Sequence, residues 1–97
     1  MHVISKKTLK DFWEKHPDSE ESLKSWHKEA ENASWKSPAE IKEKYLSASI
    51  LKNSRVVFNI CGNKYRIIVR CNYDSGAIFI RFVGTHKEYD DVNAEEV

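Results

Sequence analysis

The sequence has little of what marks disulfide-rich, membrane-spanning or disordered proteins. Its 97 residues include two cysteines, too few for a disulfide framework, and no apolar run near the ~20 residues that span a bilayer. The N-terminus lacks the apolar stretch of a secretory signal. Two prolines, three glycines and an aromatic content of 11% argue against disorder. We therefore expect one folded domain, without a membrane partner, in the cytoplasm.

The small net charge hides an uneven distribution of charged side chains. Sixteen Lys and Arg oppose fifteen Asp and Glu, which gives a net charge of +1. Residues 1–49 carry nine charges of each sign, whereas residues 52–87 carry seven basic side chains against one acid, a net charge of +6. The other five acids lie in residues 88–96. This asymmetry indicates a polyanionic partner for the middle of the chain.

The N-terminal half is predicted to form a short strand and three helices. Residues 2–4 are β-prone. The apolar residues after them have the spacing of one helix face: Leu9, Phe12, Trp13 and His16. Pro17 ends this helix. Asp18 or Ser19 caps a second helix, whose apolar face has the same kind of spacing: Leu23, Trp26, His27 and Ala30.

A third helix is predicted from Ser37, where Pro38 suits the first turn and Glu40 completes a capping box. This helix would bury Ile41 and Tyr45. Residues 47–54 are interpreted as a loop.

The C-terminal half has the composition of a three-stranded antiparallel meander. The β-prone segments and the turns between them follow one another: strands 55–61, 64–73 and 77–83, with turns at Gly62-Asn63 and at 74–76. Residues 84–90 form a turn or one helical turn. The predicted fold class is α+β, with an N-terminal strand and two to three helices on one face of a small, twisted, mostly antiparallel sheet. One domain would span residues 1–90, followed by an acidic tail, residues 91–97, that we expect to fray.

The Gly62-Asn63 turn fixes which side chains share a face of the sheet. Pairing outward from it collects apolar residues on a core face: Val56, Phe58, Ile60, Tyr65, Ile67 and Val69. The opposite face collects basic and polar residues: Arg55, Asn59, Lys64, Arg66 and Arg70. In this register Cys61 and Cys71 lie on opposite faces. Since opposed like charges are unfavourable, a polyanionic ligand explains this face better than stability does.

The third strand can be placed in the same way. An even loop, or a compensating bulge, adds Arg81 and Phe79 to the basic face and places Ile78, Ile80 and Phe82 in the core. An odd loop would bury the charge of Arg81, which is unfavourable.

The runs RVVFNICGNKYRIIVRCNY and IFIRFVGTHKEYD, with KKTLKDFWEKHPD near the N-terminus, resemble the HigB toxins of bacterial type II toxin–antitoxin systems. The resemblance covers nearly the whole chain. It implies a RelE-like fold and an endoribonuclease that cleaves mRNA, typically on the ribosome, and that a HigA-type helix-turn-helix antitoxin neutralises. It also implies functional positions that match four residues here: Arg66, Arg81, His86 and Tyr89.

Attack of a ribose 2′-OH on its own phosphodiester needs a base, an acid and positively charged groups that stabilise the negative transition state. Arg66 and Arg81 are the candidates to bind the phosphate, with Arg70 as a further candidate. His86 could be base or acid, and Tyr89, three residues on, could transfer a proton or stack on a base. Further RNA contacts are expected from basic and amide side chains: Arg55, Asn59, Asn63, Lys64, Arg70 and Lys87. We expect no metal and no small-molecule cofactor.

Plainer interpretations remain open at the sequence level. His16 and His27 fit packing better than chemistry, and Lys87 could be an ordinary solvated charge. Arg55 could pair with the acidic tail, which would then cover the basic face. The protein could also be a non-catalytic RNA-binding module, or a degenerate toxin that binds only its antitoxin. Both the tryptophan-bearing helices and the basic face are candidate antitoxin-binding surfaces.

Overall fold

Five strands and four helices alternate irregularly along the chain in a computed structural model that describes all residues, 1–97. Their bounds, in chain order, are β1 (His2–Ile4), α1 (Lys6–Lys15), a 3₁₀ turn (Pro17–Ser19), α2 (Glu20–Asn32), α3 (Pro38–Lys44), β2 (Ser49–Ile50), β3 (Arg55–Ile60), β4 (Tyr65–Asn72), β5 (Ala77–Thr85) and α4 (His86–Asp90). The sheet order is β1-β5-β4-β3-β2, and only the β1–β5 pair is parallel. The predicted α+β fold is confirmed. None of the helices is long and apolar enough to cross a membrane.

The hydrophobic core lies between the sheet and helices α1–α3. The helical stripes contribute large buried side chains to it: Leu9, Trp13, Leu23, Trp26 and Ile41. The Phe58 ring of β3 contacts the rings of Trp26 and Trp35, with centroid separations of 5.3 and 6.3 Å. We call the sheet face that meets these helices the inner face and the opposite one the outer face.

The register of β3 and β4 is the predicted one. Arg55 pairs with Arg70 and Asn59 pairs with Arg66, so all four are aligned on the outer face. The connecting loop, residues 61–64, is longer than the predicted two-residue turn. Positive φ angles occur at Cys61 (53°) and Gly62 (69°) rather than at Asn63.

A β-bulge in β5 changes which side chains face outward. Val69 pairs with Ile80, but the next residue of β4, Ile68, pairs with Phe82, so Arg81 is the extra residue. The four-residue loop before β5 is even, as expected, and Arg81 is exposed. The bulge also places Phe82 opposite Ile68 on the outer face, so its predicted core position is wrong. Bulges commonly re-aim side chains in this way.

Three local predictions in the N-terminal half are corrected. Ser37 precedes α3, but its side chain makes no capping hydrogen bond, and the Glu40 carboxylate accepts instead from the Lys36 N–H (3.2 Å). Ser19 likewise donates its hydroxyl to the His16 carbonyl (2.7 Å) rather than capping α2. The two-residue strand β2 lies in the segment predicted as a loop, because two residues are too few to show a period of two.

Candidate functional site

The outer face carries a stacked arginine and tyrosine at the end of β4 that is near α4. The guanidinium carbon of Arg66 lies 4.7 Å from the centroid of the Tyr89 ring. The Arg66 Nε is buried and has no hydrogen-bond partner. A planar guanidinium that stacks by its face keeps its N–H groups free at its edge, which suits a phosphate.

Helix α4 positions both Tyr89 and His86 and begins with a capping box. The Glu88 N–H donates to Thr85 Oγ1 (3.1 Å), and the Thr85 N–H donates to Glu88 Oε1 (2.8 Å). This backbone hydrogen bond holds the pKa of Glu88 below its usual value. This capping box was not predicted, although Thr85-x-x-Glu88 matches the capping pattern. The box sets the start of a five-residue helix that would otherwise be marginal.

His86 is the first residue of α4 and is anchored through its backbone. Its N–H donates to the Lys64 carbonyl (3.2 Å), which joins α4 to the β3–β4 loop. Its half-exposed ring has Nδ1 3.4 Å from an Asp90 carboxylate oxygen. A carboxylate at this nitrogen orients the imidazole and leaves Nε2 available for proton transfer.

Phe82 is a residue of this face that the sequence analysis placed elsewhere. It is half-buried and lies over Gly84, which pairs with Arg66 across the ladder. A Cβ atom at Gly84 would lie 2.5 Å from Phe82 Cζ, so only glycine leaves room for the ring. An aromatic ring beside an arginine offers a stacking surface that suits a nucleic-acid base.

Arg81 does not join Arg66 and Tyr89. Its Nε donates to the Val97 carbonyl oxygen (3.3 Å), and Arg55 donates to the same oxygen from Nε (3.2 Å) and Nη2 (2.8 Å). The tail, residues 91–97, thus folds back over the outer face. The alternative contact between Arg55 and the tail is the one that forms.

The remaining predicted RNA contacts fall into different environments. Arg70 is exposed, with its guanidinium carbon 5.8 Å from the Phe79 ring centroid, and Lys87 is exposed on α4. Asn63 is exposed in the β3–β4 loop, and Asn59, half-buried beside Arg66, donates to the Ser47 carbonyl (3.3 Å).

Lys64 is not part of the outer face. It forms an ion pair with Asp18 in the 3₁₀ turn, on the helical side of the sheet. Tyr65 donates its hydroxyl to the same carboxylate (2.6 Å). Hydrogen bonds from Lys64 and Tyr65 lower the pKa of Asp18. The four-residue loop releases Lys64 from the ladder, which explains why alternation misplaced it.

The histidines of the helical layer have packing roles. His16 stacks on Phe12 with a centroid separation of 4.3 Å. His27 is buried, and burial lowers the pKa of its imidazole. Cys61 and Cys71 are free and both contact the helix-side core, so their predicted placement on opposite faces is wrong. No group of three or more His, Cys, Asp or Glu side chains is arranged to hold a metal ion.

Comparison with known proteins identifies the family. The sequence profile of HigB_toxin, the RelE-like toxic component of a toxin–antitoxin system, matches residues 19–92. The chain is 35% identical over 92 residues to the mRNA interferase toxin HigB of Escherichia coli K12, across 93% of this chain and 88% of that protein. Identity and coverage are the same for the mRNA interferase HigB of Shigella flexneri. The mRNA interferase HigB of Escherichia coli O6:H1 is 26% identical over 92 residues. The predicted family is thus confirmed, and the chain belongs to the HigB family of RelE-like toxins.

Proposed function

We propose that this protein is an endoribonuclease that cleaves mRNA and thereby arrests translation and growth. One structural observation carries the proposal: Arg66 stacks on Tyr89 of α4, the helix that also carries His86. Relatives at 35% identity are named mRNA interferases, which supports the same activity here. The arginines that share this face supply the positive field that an RNA strand requires.

The reaction uses the RNA's own 2′-hydroxyl as nucleophile. The 2′-oxygen attacks the adjacent phosphorus while a base takes its proton, and the bond to the 5′-oxygen breaks as an acid protonates that oxygen. The products are a 2′,3′-cyclic phosphate and a 5′-hydroxyl. Arg66 donates hydrogen bonds to the phosphoryl oxygens, whose negative charge grows in the transition state. His86 and Tyr89 divide the roles of base and acid.

The ribosome provides the orientation that this small site lacks. His86 is half-exposed and Lys87 fully exposed, so free RNA would seldom adopt the reactive geometry on this surface. Positioning of reacting groups accounts for a large part of enzymatic rate enhancement. We therefore propose that cleavage occurs on mRNA held by the ribosome, in the cytoplasm.

The neutralising partner is a HigA-type helix-turn-helix antitoxin, as expected for a member of this toxin family. Two surfaces suit it: the outer face, where binding would cover Arg66 and Tyr89, and the helical layer that carries Trp13 and Trp26. Competition between antitoxin and RNA for the protein would distinguish them, because only the first surface overlaps the site.

The test compares cleavage of a translated mRNA by wild type, Arg66→Ala and a control, Lys28→Ala, which removes an exposed charge from α2. Primer extension should show defined cuts with wild type and the control, and none with Arg66→Ala, while circular dichroism shows all three folded. Omitting ribosomes should abolish the cuts.

Other outcomes would contradict the proposal. Wild-type cutting by Arg66→Ala would remove this arginine from the mechanism. RNA binding without cuts by wild type would indicate a non-catalytic RNA-binding module, and antitoxin binding alone would indicate a degenerate toxin.

A further inference from the structure

Two arginines from strands that are not neighbours meet at one oxygen atom above the sheet. Arg55 lies on β3 and Arg81 on β5, with β4 between them. Three of their N–H groups converge on the Val97 carbonyl oxygen at 2.8 to 3.3 Å. Arg55 also donates from Nη1 to the Asn53 carbonyl (2.8 Å), which fixes the orientation of its guanidinium independently of the tail. The result is a preformed cradle of charged N–H donors around one oxygen atom, a geometry that also suits a phosphate oxygen.

The oxygen in this cradle belongs to a weakly held segment, residues 93–97, which we call the tail segment. Its turn is closed by N–H groups of Glu96 and Val97 that donate to the Asn93 carbonyl (3.1 and 3.0 Å). Beyond the arginines, its links to the rest of the protein are through Glu95, which accepts from the Lys52 N–H (3.3 Å) and the Asn53 amide (3.1 Å). No residue of the tail segment is fully buried. It can therefore detach without opening the core.

We propose that Arg55 and Arg81 form a phosphate-binding subsite for the RNA strand, and that the tail segment occupies this subsite when RNA is absent. The inference rests on the proposed function, because it assumes that RNA runs along the outer face. A phosphate presents two oxygens that can accept bidentate hydrogen bonds from both guanidiniums, whereas the tail segment offers them one oxygen of Val97. RNA therefore displaces the tail segment, whose acidic side chains repel a phosphate until it leaves.

The subsite serves a nucleotide that flanks the one that is cleaved. Arg70, which pairs with Arg55, is four residues from Arg66 along β4, about 13 Å at the usual rise of a strand. Between these groups lie Val57 and Ile68 on the outer side of the sheet, and both are buried, with exposures of 1% and 0%. This apolar floor places no charge between the two phosphate contacts. The Arg55–Arg81 subsite thus orients the strand, whereas Arg66 contacts the reacting phosphate.

The experiment measures affinity for a short single-stranded RNA analogue with a 2′-O-methyl group at every position, which cannot be cleaved. Fluorescence anisotropy at low salt is the measurement. Arg55→Ala and Arg81→Ala should each weaken binding roughly tenfold relative to Lys28→Ala, which removes the same charge far from the face. If both arginine variants bind as tightly as Lys28→Ala, the subsite does not exist.

A matched pair of full-length variants tests the occupant. Glu95→Ala and Glu96→Ala each remove one negative charge, but only the Glu95 carboxylate bonds outside the tail segment, to Lys52 in the β2–β3 loop, whereas Glu96 bonds within it to Asn93 (3.0 Å). Glu95→Ala should bind the analogue about threefold more tightly than Glu96→Ala, as expected for one lost competing hydrogen bond. Equal affinities would mean that the tail segment does not compete.

A direct readout accompanies the affinities. In wild type, the Asn53 side-chain amide donates to the Glu95 carbonyl, so its NMR signals should move when the analogue displaces the tail segment. Unchanged Asn53 signals at saturating analogue would overturn displacement.

Failure of the proposed function would look different. A wild type that binds the analogue through Arg55 and Arg81 but never cuts mRNA would support the subsite and contradict the proposed nuclease activity. Ribosome-dependent cutting with no loss of analogue affinity in the arginine variants would support the nuclease activity and contradict the subsite.

Discussion

The guanidinium of Arg66 and the ring of Tyr89 form one stacked unit, although β4 and α4 contribute them separately. Under the proposed function, the stack orients a guanidinium that would hold the phosphate and a phenol that would transfer a proton. The phenol oxygen and the ring can be tested separately because phenylalanine keeps the stacking surface.

Tyr89→Phe should fold normally and bind the uncleavable RNA analogue as wild type does, yet cut translated mRNA about 100-fold more slowly, as expected when a general acid or base is lost. Tyr45→Phe is the control, because that hydroxyl bonds to Glu29 in the helical layer. A single-turnover cleavage rate is the measurement. Wild-type cutting by Tyr89→Phe would leave the ring only a stacking role.

Thr85→Ala removes one half of the capping box that begins α4. Loss of a capping side chain destabilises a helix start by about 1 kcal/mol, enough to fray a helix this short. We expect cleavage to fall more steeply than the melting temperature, because α4 carries His86 and Tyr89 but no core residue. Ser37→Ala is the matched control, since Ser37 precedes α3 without a side-chain capping bond. Equal effects of the two variants would contradict this role for the box.

Gly84→Ala introduces a methyl group 2.5 Å from Phe82 Cζ. The ring must move, at an energy typical of overpacking, about 1–3 kcal/mol. In a Phe82→Ala background the clash with the ring is absent and only the approach to Glu88 Oε1 (3.2 Å) remains, so the same substitution should cost less free energy of unfolding. Urea denaturation of the four proteins measures this coupling. Additive effects would show that the ring does not depend on Gly84 for its place.

Stability should fall in mild acid partly because of His27. Burial holds the pKa of its imidazole below its usual value, and Lys6 lowers it further, although the carboxylate of Glu31 at 3.5 Å opposes this. As pH falls below about 6.5 the unfolded chain takes up this proton before the folded protein does, so stability decreases until the folded-state pKa is passed.

His27→Gln should reduce the change in the urea midpoint between pH 7.5 and pH 5.5, relative to the change in wild type. His2→Gln, at an exposed position of β1, should keep the wild-type slope. The same slope for all three proteins would show that His27 titrates normally.

The sequence predicted those parts of the fold that depend on neighbouring residues. Periodic apolar residues located α1 and α2, and the Gly62-Asn63 turn set the β3–β4 register that aligns Arg55 with Arg70. The position of Arg66 on the outer face follows from the same pairing. The two side chains meet because α4 turns back against β4 and β5.

The errors have long-range causes. The bulge at Arg81 is set by the pairing of β5 with β4, so alternation along β5 alone cannot reveal it. Lys64 turns to Asp18, which is remote in sequence, and the tail segment finds Arg55 and Arg81 only once both strands are assembled. Charge pairing between distant segments leaves no periodic pattern in a single sequence.

The bulge in β5 makes Arg81 an insertion in an otherwise regular ladder. Ile80 faces Val69 and Phe82 faces Ile68 on either side of it. Deletion of the arginine codon would leave both pairings in register, with Ile80 still facing the helices and Phe82 still facing outward. A toxin lineage could therefore gain or lose this positive charge in one genetic step without rebuilding its hydrophobic core.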